Sequence, residues 1–151
     1  MKTNTRSYGM GIMRVKLLQD RIFDKMLLEN GLDISRGQRG ILFVLWKRDH
    51  LTVSEISELT LLAKNTVSIV INGMVEKGIV QREINPDNRR QTIISLTDYA
   101  RSLHDQYEKV SKQITDLVYT GFTEEEKDAF ENYLDRILHT LICYEQGDTL
   151  R

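Results

Sequence analysis

A mainly α-helical fold with one small β hairpin is what this sequence predicts, on three observations. Apolar residues return every three or four positions through most of the 151 residues. That period gives way once, between Ile79 and Leu96, to short runs rich in β-branched residues. The only proline, Pro86, sits in the middle of the exception.

From about Gly9 to Leu28, the residues Ile12, Val15, Leu18, Ile22 and Met26 share one helical face, so the first helix is amphipathic. Asn30-Gly31 stops it. Ser35 is placed to cap a second helix through ILFVLWKRD, which is apolar around most of its circumference and therefore central, with Trp46 as a packing residue. Thr52 and Glu55 have the spacing of a capping box, in which each side chain satisfies the other residue's backbone N–H. A helix should start at Val53, bury Ile56 and Leu59, and end near Thr60. LLA then forms a turn, and a second short helix runs from Lys64 to Gly78, giving a helix-turn-helix.

At about 100° per residue, Val67, Val70, Ile71 and Met74 of that second helix form a core face. Lys64, Asn65, Ser68, Asn72 and Glu76 form a polar one, with Ile69 and Val75 at or near its side. A polar face is commonly just solvated. Lys, Asn, Thr and Ser near a helix start are, however, side chains that donate to and accept from base edges and phosphates.

Ile79–Ile84 and Gln91–Leu96 read as two strands flanking NPDNRR. Pro86 lacks a ladder donor but presets φ for a turn, and Asn85, Asp87 and Asn88 stabilise turns through local hydrogen bonds. The proline thus ends the first strand and shapes a loop whose tip presents Arg89 and Arg90. A helix-turn-helix followed by an arginine-tipped hairpin is a winged helix. Its helix suits a major groove and its arginines a neighbouring minor groove, where the potential of narrow A·T tracts is most negative.

After Thr97 the chain is helical to Leu117, breaks at Thr120-Gly121, and restarts at Thr123, which with Glu126 makes a second capping box. The last helix carries the stripe Phe130, Leu134, Ile137, Leu138, Leu141, Ile142. That stripe is long for a small domain to bury alone, so the first helix and the last two are expected to pack against a second copy of the chain. The organisation expected is an amino-terminal dimerisation helix over 1–34, a winged helix-turn-helix lobe over 35–96 and carboxyl-terminal dimerisation helices over 97–151, in one integrated unit.

No apolar run approaches the ~20 residues of a membrane span. The amino terminus lacks the apolar stretch of a secretory signal, and a single cysteine, Cys143, forms no internal disulfide, so a soluble cytoplasmic protein is expected. The net charge of −1 argues against nucleic acid, but its distribution does not: +5 over residues 1–50, 0 over 51–96 and −6 over 97–151. Lys64 to Arg90 holds five basic residues against three acidic ones. No Gly-rich phosphate loop, nucleophile-and-base arrangement or metal ligand set is evident, so neither an enzyme nor a bound cofactor is expected. His139 and Cys143 are spaced to share a helix face, but two ligands do not make a metal site.

The combination LTVSEIS, AKNTVSIVINGMVEKGIVQRE and NPDNRRQTIISLT resembles the MarR family of bacterial winged-helix transcription regulators, over about Gly9 to Tyr144 and most specifically over Leu51 to Thr97. The resemblance implies a homodimer that binds a pseudo-palindromic double-stranded operator, mostly as a repressor, and is released by a small phenolic or lipophilic effector or by an oxidant. It makes the helix from Lys64 the recognition helix and NPDNRR the wing. Residues expected at DNA are Lys64, Asn65, Thr66, Ser68 and Arg90, with Arg89 on phosphate and Ser54 holding a phosphate at the start of the preceding helix. The effector crevice would lie between the winged-helix lobe and the dimerisation helices, while Met13, Leu17, Phe43 and Trp46 read as plain core.

Two positions depart from the family pattern. The usual wing Asp-x-Arg is Asn88-Arg89-Arg90 here, so an amide replaces the carboxylate that steadies the arginine. The usual Leu-Thr-x-x-Gly reads Leu96-Thr97-Asp98-Tyr99-Ala100. The family's peroxide sensors place their thiol in the first helix, where residues 9–28 have none; Cys143 reads as a buried, inert thiol. The alternative reading is a winged-helix module that binds protein rather than DNA. Near-neutral charge favours it and the wing arginines weigh against it.

Overall fold

The computed structural model describes residues 6–147; residues 1–5 and 148–151, which carry the ends of the expected amino- and carboxyl-terminal stretches, lie outside the described residues. Six helices and three strands follow in the order α1 (Tyr8–Glu29), α2 (Arg36–Lys47), β1 (Leu51–Thr52), α3 (Val53–Thr60), α4 (Lys64–Glu76), β2 (Val80–Asn85), β3 (Asn88–Leu96), α5 (Asp98–Val118) and α6 (Glu124–Glu145). The chain divides into two compact units, Met1–Ile114 and Thr115–Arg151.

In the first unit α2 is central. Ile41, Leu42 and Leu45 are fully buried, with Leu51, Ile56, Val67, Ile71, Met74 and Ile94 completing the core. Two capping boxes start its helices: Thr52 with Glu55 on α3, as the sequence predicts, and Ser35 with Gln38 on α2, where the sequence predicts only the Ser35 cap. Each satisfies two otherwise orphaned donors, and such caps contribute about 1 kcal/mol. α4 ends in a Schellman motif: Gly78 adopts φ +71°, its N–H donates to Val75, and Ile79 N–H donates to Met74.

Several expectations are corrected here, among them the burial of Leu59 and the core placement of Met13, Leu17 and Phe43. α1 turns Asp20, Phe23 and Leu27 to the core, while the stripe expected to meet a second copy is exposed at Ile12, Val15 and Leu18 and half-buried at Ile22 and Met26. A carboxylate can occupy the inner face because Arg39 of α2 lies against it, with Nη2 2.9 Å from Asp20 and Nη1 on Asp24. Leu59 of α3 is exposed; only Ile56 of that helix is buried. Met13, Leu17 and Phe43 are about half exposed rather than core, whereas Trp46 packs 4.9 Å from the ring of Tyr107.

The hairpin is also tighter than expected. The turn is Pro86-Asp87 alone, because the Asn85 side chain accepts the Asp87 N–H at 3.0 Å and donates to Gln91 at 3.1 Å, so pairing resumes at Asn88. Arg89 and Arg90 therefore lie in β3, not at a loop tip. The sheet has a third strand as well, in the order β1-β3-β2, with Leu51 opposite Ile94 and Thr52 opposite Ile93.

In the second unit Gly121 turns the chain at φ +83°. Thr123 caps α6 by accepting the Glu126 N–H at 3.2 Å. The reciprocal half of the expected capping box is replaced by the Thr123 hydroxyl donating to the Glu126 carboxylate. Tyr119 donates to Glu131 and stacks edge-on against Phe122 and Phe130. α6 buries none of its own residues, and Cys143 is half-buried, 3.5 Å from His139.

Asp49 joins three elements of the first unit. Its carboxylate accepts from Leu96 N–H of β3 at 2.9 Å, from His50 N–H at 2.8 Å and from Arg101 of α5 at 2.8 Å. Burial pushes this carboxyl up, but those donors outweigh it and hold it below the ordinary carboxylate range. Asp24 is likewise lowered, with hydrogen bonds from Arg39 and Arg36 outweighing burial. Depressed carboxyls stabilise the fold above the unfolded value of about 3.9 and lose that contribution as pH falls through the folded value. Thermal melts should therefore show stability dropping below about pH 4, and Asp49→Asn should flatten that drop while lowering stability at neutral pH.

Candidate nucleic-acid interface

α3 and α4 are held at a fixed angle by hydroxyl contacts in the turn. Ser57 donates to the Leu62 carbonyl at 2.6 Å, Thr60 to the Ile56 carbonyl at 2.7 Å, and the Leu62 N–H to Thr60 at 3.3 Å. Leu61, at φ 61°, makes the left-handed corner. Ala63 starts α4 without a side-chain cap, so the first-turn N–H groups point out beside Lys64, Asn65 and Thr66, all exposed.

Val67, Ile71 and Met74 anchor α4 to the core, which turns the opposite sector outward. That sector presents Asn65, Ser68, Ile69 and Asn72 together. Asn72 accepts a hydrogen bond from Arg82 of β2, a tie between helix and wing that sequence reading missed because ten residues and a change of element separate the two.

The wing arginines sit in a register shift. Thr92 pairs with Ile84 and Asn88 with Asn85, so Arg89, Arg90 and Gln91 have no partner on β2 and bulge from the ladder. Asn88 accepts the backbone N–H of Arg90 at 3.1 Å, which shapes the bulge through the main chain rather than by gripping the guanidinium. Arg90 and Gln91 line a depression of about 260 Å³ with Thr52, Val53, Ser54 and Thr92, so the structure brings Ser54 to the base of the wing beside Arg90.

Charge is distributed unevenly among these cations. Lys77 is paired with Asp33 at 3.3 Å. Among the described residues, Lys64, Arg89 and Arg90 form no ion pair, and all three are exposed. Cations without an internal carboxylate keep their full charge for an external anion, and releasing counterions from a nucleic-acid backbone favours such a contact.

The described residues contain no group of three side chains able to hold a metal, and no helix long and apolar enough to cross a membrane.

Comparison with known proteins adds to this geometry. The MarR family model matches residues 32–91, the stretch that holds α2, the helix-turn-helix and the wing as far as the start of β3. The HTH-type transcriptional repressor IacR of Pseudomonas putida is 22% identical over 118 residues, covering 78% of this chain and 70% of its own. Among solved structures, a MarR transcriptional regulator from Methanosarcina mazei Go1 superposes with a TM-score of 0.81 at 19% identity, over 89% of this chain and 96% of that one. A mutant MarR from E. coli complexed with operator DNA superposes with a TM-score of 0.79 at 23% identity, over 86% and 92%.

Proposed function

We propose that this chain is a regulator of the MarR family, whose model matches its winged helix-turn-helix, and that it binds double-stranded DNA sequence-specifically as a transcriptional repressor. α4 enters the major groove of an operator half-site, with Lys64, Asn65, Thr66 and Ser68 at base edges and phosphates. Arg90 reaches the adjacent minor groove, and Arg89 and Ser54 hold phosphates. The observation that carries this reading is the set of three exposed, unpaired cations on α4 and the wing bulge, beside a polar outward sector of α4. The E. coli structure with operator DNA supports it by analogy of fold.

Two copies bind a pseudo-palindrome whose half-sites are one turn, ~34 Å, apart. The stripe of α6 supports dimerisation: Phe130, Leu134, Ile137, Leu138 and Leu141 are between 41% and 59% exposed within one chain. A small lipophilic or phenolic effector that binds better to a dimer with the wrong helix spacing lowers DNA affinity by shifting that population. The protein works in the cytoplasm, without a cofactor.

Arg90→Ala tests the assignment. Among the described residues its side chain forms no hydrogen bond or ion pair, so melting temperature should stay unchanged while operator affinity falls by about 1–3 kcal/mol. Full affinity in the variant would remove Arg90 from the interface.

A further inference from the structure

Ile69 is 71% exposed in the outward sector of α4, with Asn65 and Asn72 at helical spacing on either side and Ser68 next to it in the chain. A β-branched residue is a less favourable helix former than a straight-chain one, and Ile69 is not among the residues of the first unit's core or the partly buried hydrophobics packed on it. An isolated exposed apolar residue is ordinary on most surfaces. This one stands in the middle of the sector that the proposed function directs into the major groove, where the thymine C5-methyl is the apolar mark. We infer that Ile69 reads a thymine methyl in each half-site; this rests on the DNA-binding reading above and deepens it.

The neighbours fit such a contact. Asn65, Ser68 and Asn72 offer hydrogen bonds to base edges around an apolar centre, and Asn72 is tied to Arg82, which limits its freedom beside Ile69. Burying one methyl against Ile69 is worth about 0.8 kcal/mol, or about fourfold in affinity per half-site. Two symmetric positions would give about 15-fold, since separated positions add.

The test uses the full chain and duplexes selected from a random library for tight binding. In the best duplex each thymine pair is replaced in turn by deoxyuridine, which removes only the methyl, and binding is measured for the wild type, Ile69→Ala and Ile69→Val. Ile69 is exposed, so both variants should fold. At one symmetric position the wild type should lose about 15-fold, Ile69→Val should follow it, and Ile69→Ala should be indifferent to the methyl. Uracil substitution that affects wild type and Ile69→Ala equally at every position overturns the inference but leaves DNA binding intact. Failure to select any preferred duplex overturns both.

Discussion

Arg39→Met is expected to lower the unfolding free energy by about 3 kcal/mol, because it removes the buried guanidinium that bridges the carboxylates of Asp20 and Asp24 and leaves each with a single cationic partner. The Arg39 side chain is 9% exposed, bridges Asp20 and Asp24 of α1, and lies over the Phe23 ring, 4.9 Å from its centroid. Lys16 at 2.6 Å from Asp20 and Arg36 at 2.8 Å from Asp24 remain, which keeps the loss at the lower end for a broken buried pair. The loss is the cost of a buried carboxylate left with fewer donors more than the worth of the pair. A second substitution, Asp20→Leu, should therefore recover part of it, and a double-mutant cycle by chemical denaturation measures this. Equal or greater loss in the double variant would place the stability in the ion pair itself.

Leu134→Glu with Leu141→Glu should convert the protein to a monomer and reduce operator affinity by roughly 10²- to 10⁴-fold, the gain that a second linked half-site confers. The two leucines lie seven residues apart on one face of α6, and α6 buries nothing within its own chain, so helix content should persist. Sedimentation velocity reads the mass and circular dichroism the helicity. A variant that stays dimeric would move the dimer interface away from the α6 stripe.

The sequence made the local grammar legible: the capping residues Ser35 and Thr52, the stops at Gly31 and Gly78, and the change of period after Gly78 all coincide with element ends. It was less informative where a face had to be chosen. Two stripes of α1 have helical spacing, and the inner one holds Asp20, which only Arg39, 19 residues away, makes tolerable there. β1 escaped notice because two residues cannot show alternation and Thr52 already read as a cap. The wing was placed correctly but drawn too loosely, since its tightness depends on what the Asn85 and Asn88 side chains bond to. At the candidate interface, residue types on α4 were readable from composition and angle, whereas the Asn72–Arg82 tie and the approach of Ser54 to Arg90 exist only in three dimensions.

The central claim, that this winged helix binds a specific operator, is tested most directly by fluorescence anisotropy. A labelled duplex from the protein's own upstream region is titrated at several salt concentrations beside a scrambled duplex of equal length. Binding that weakens steeply with salt and prefers the upstream duplex by about 10³ or more is the predicted result. Equal, weak binding to both duplexes would contradict it for that region, and the same result with duplexes selected from a random library would leave a winged helix that serves a protein partner.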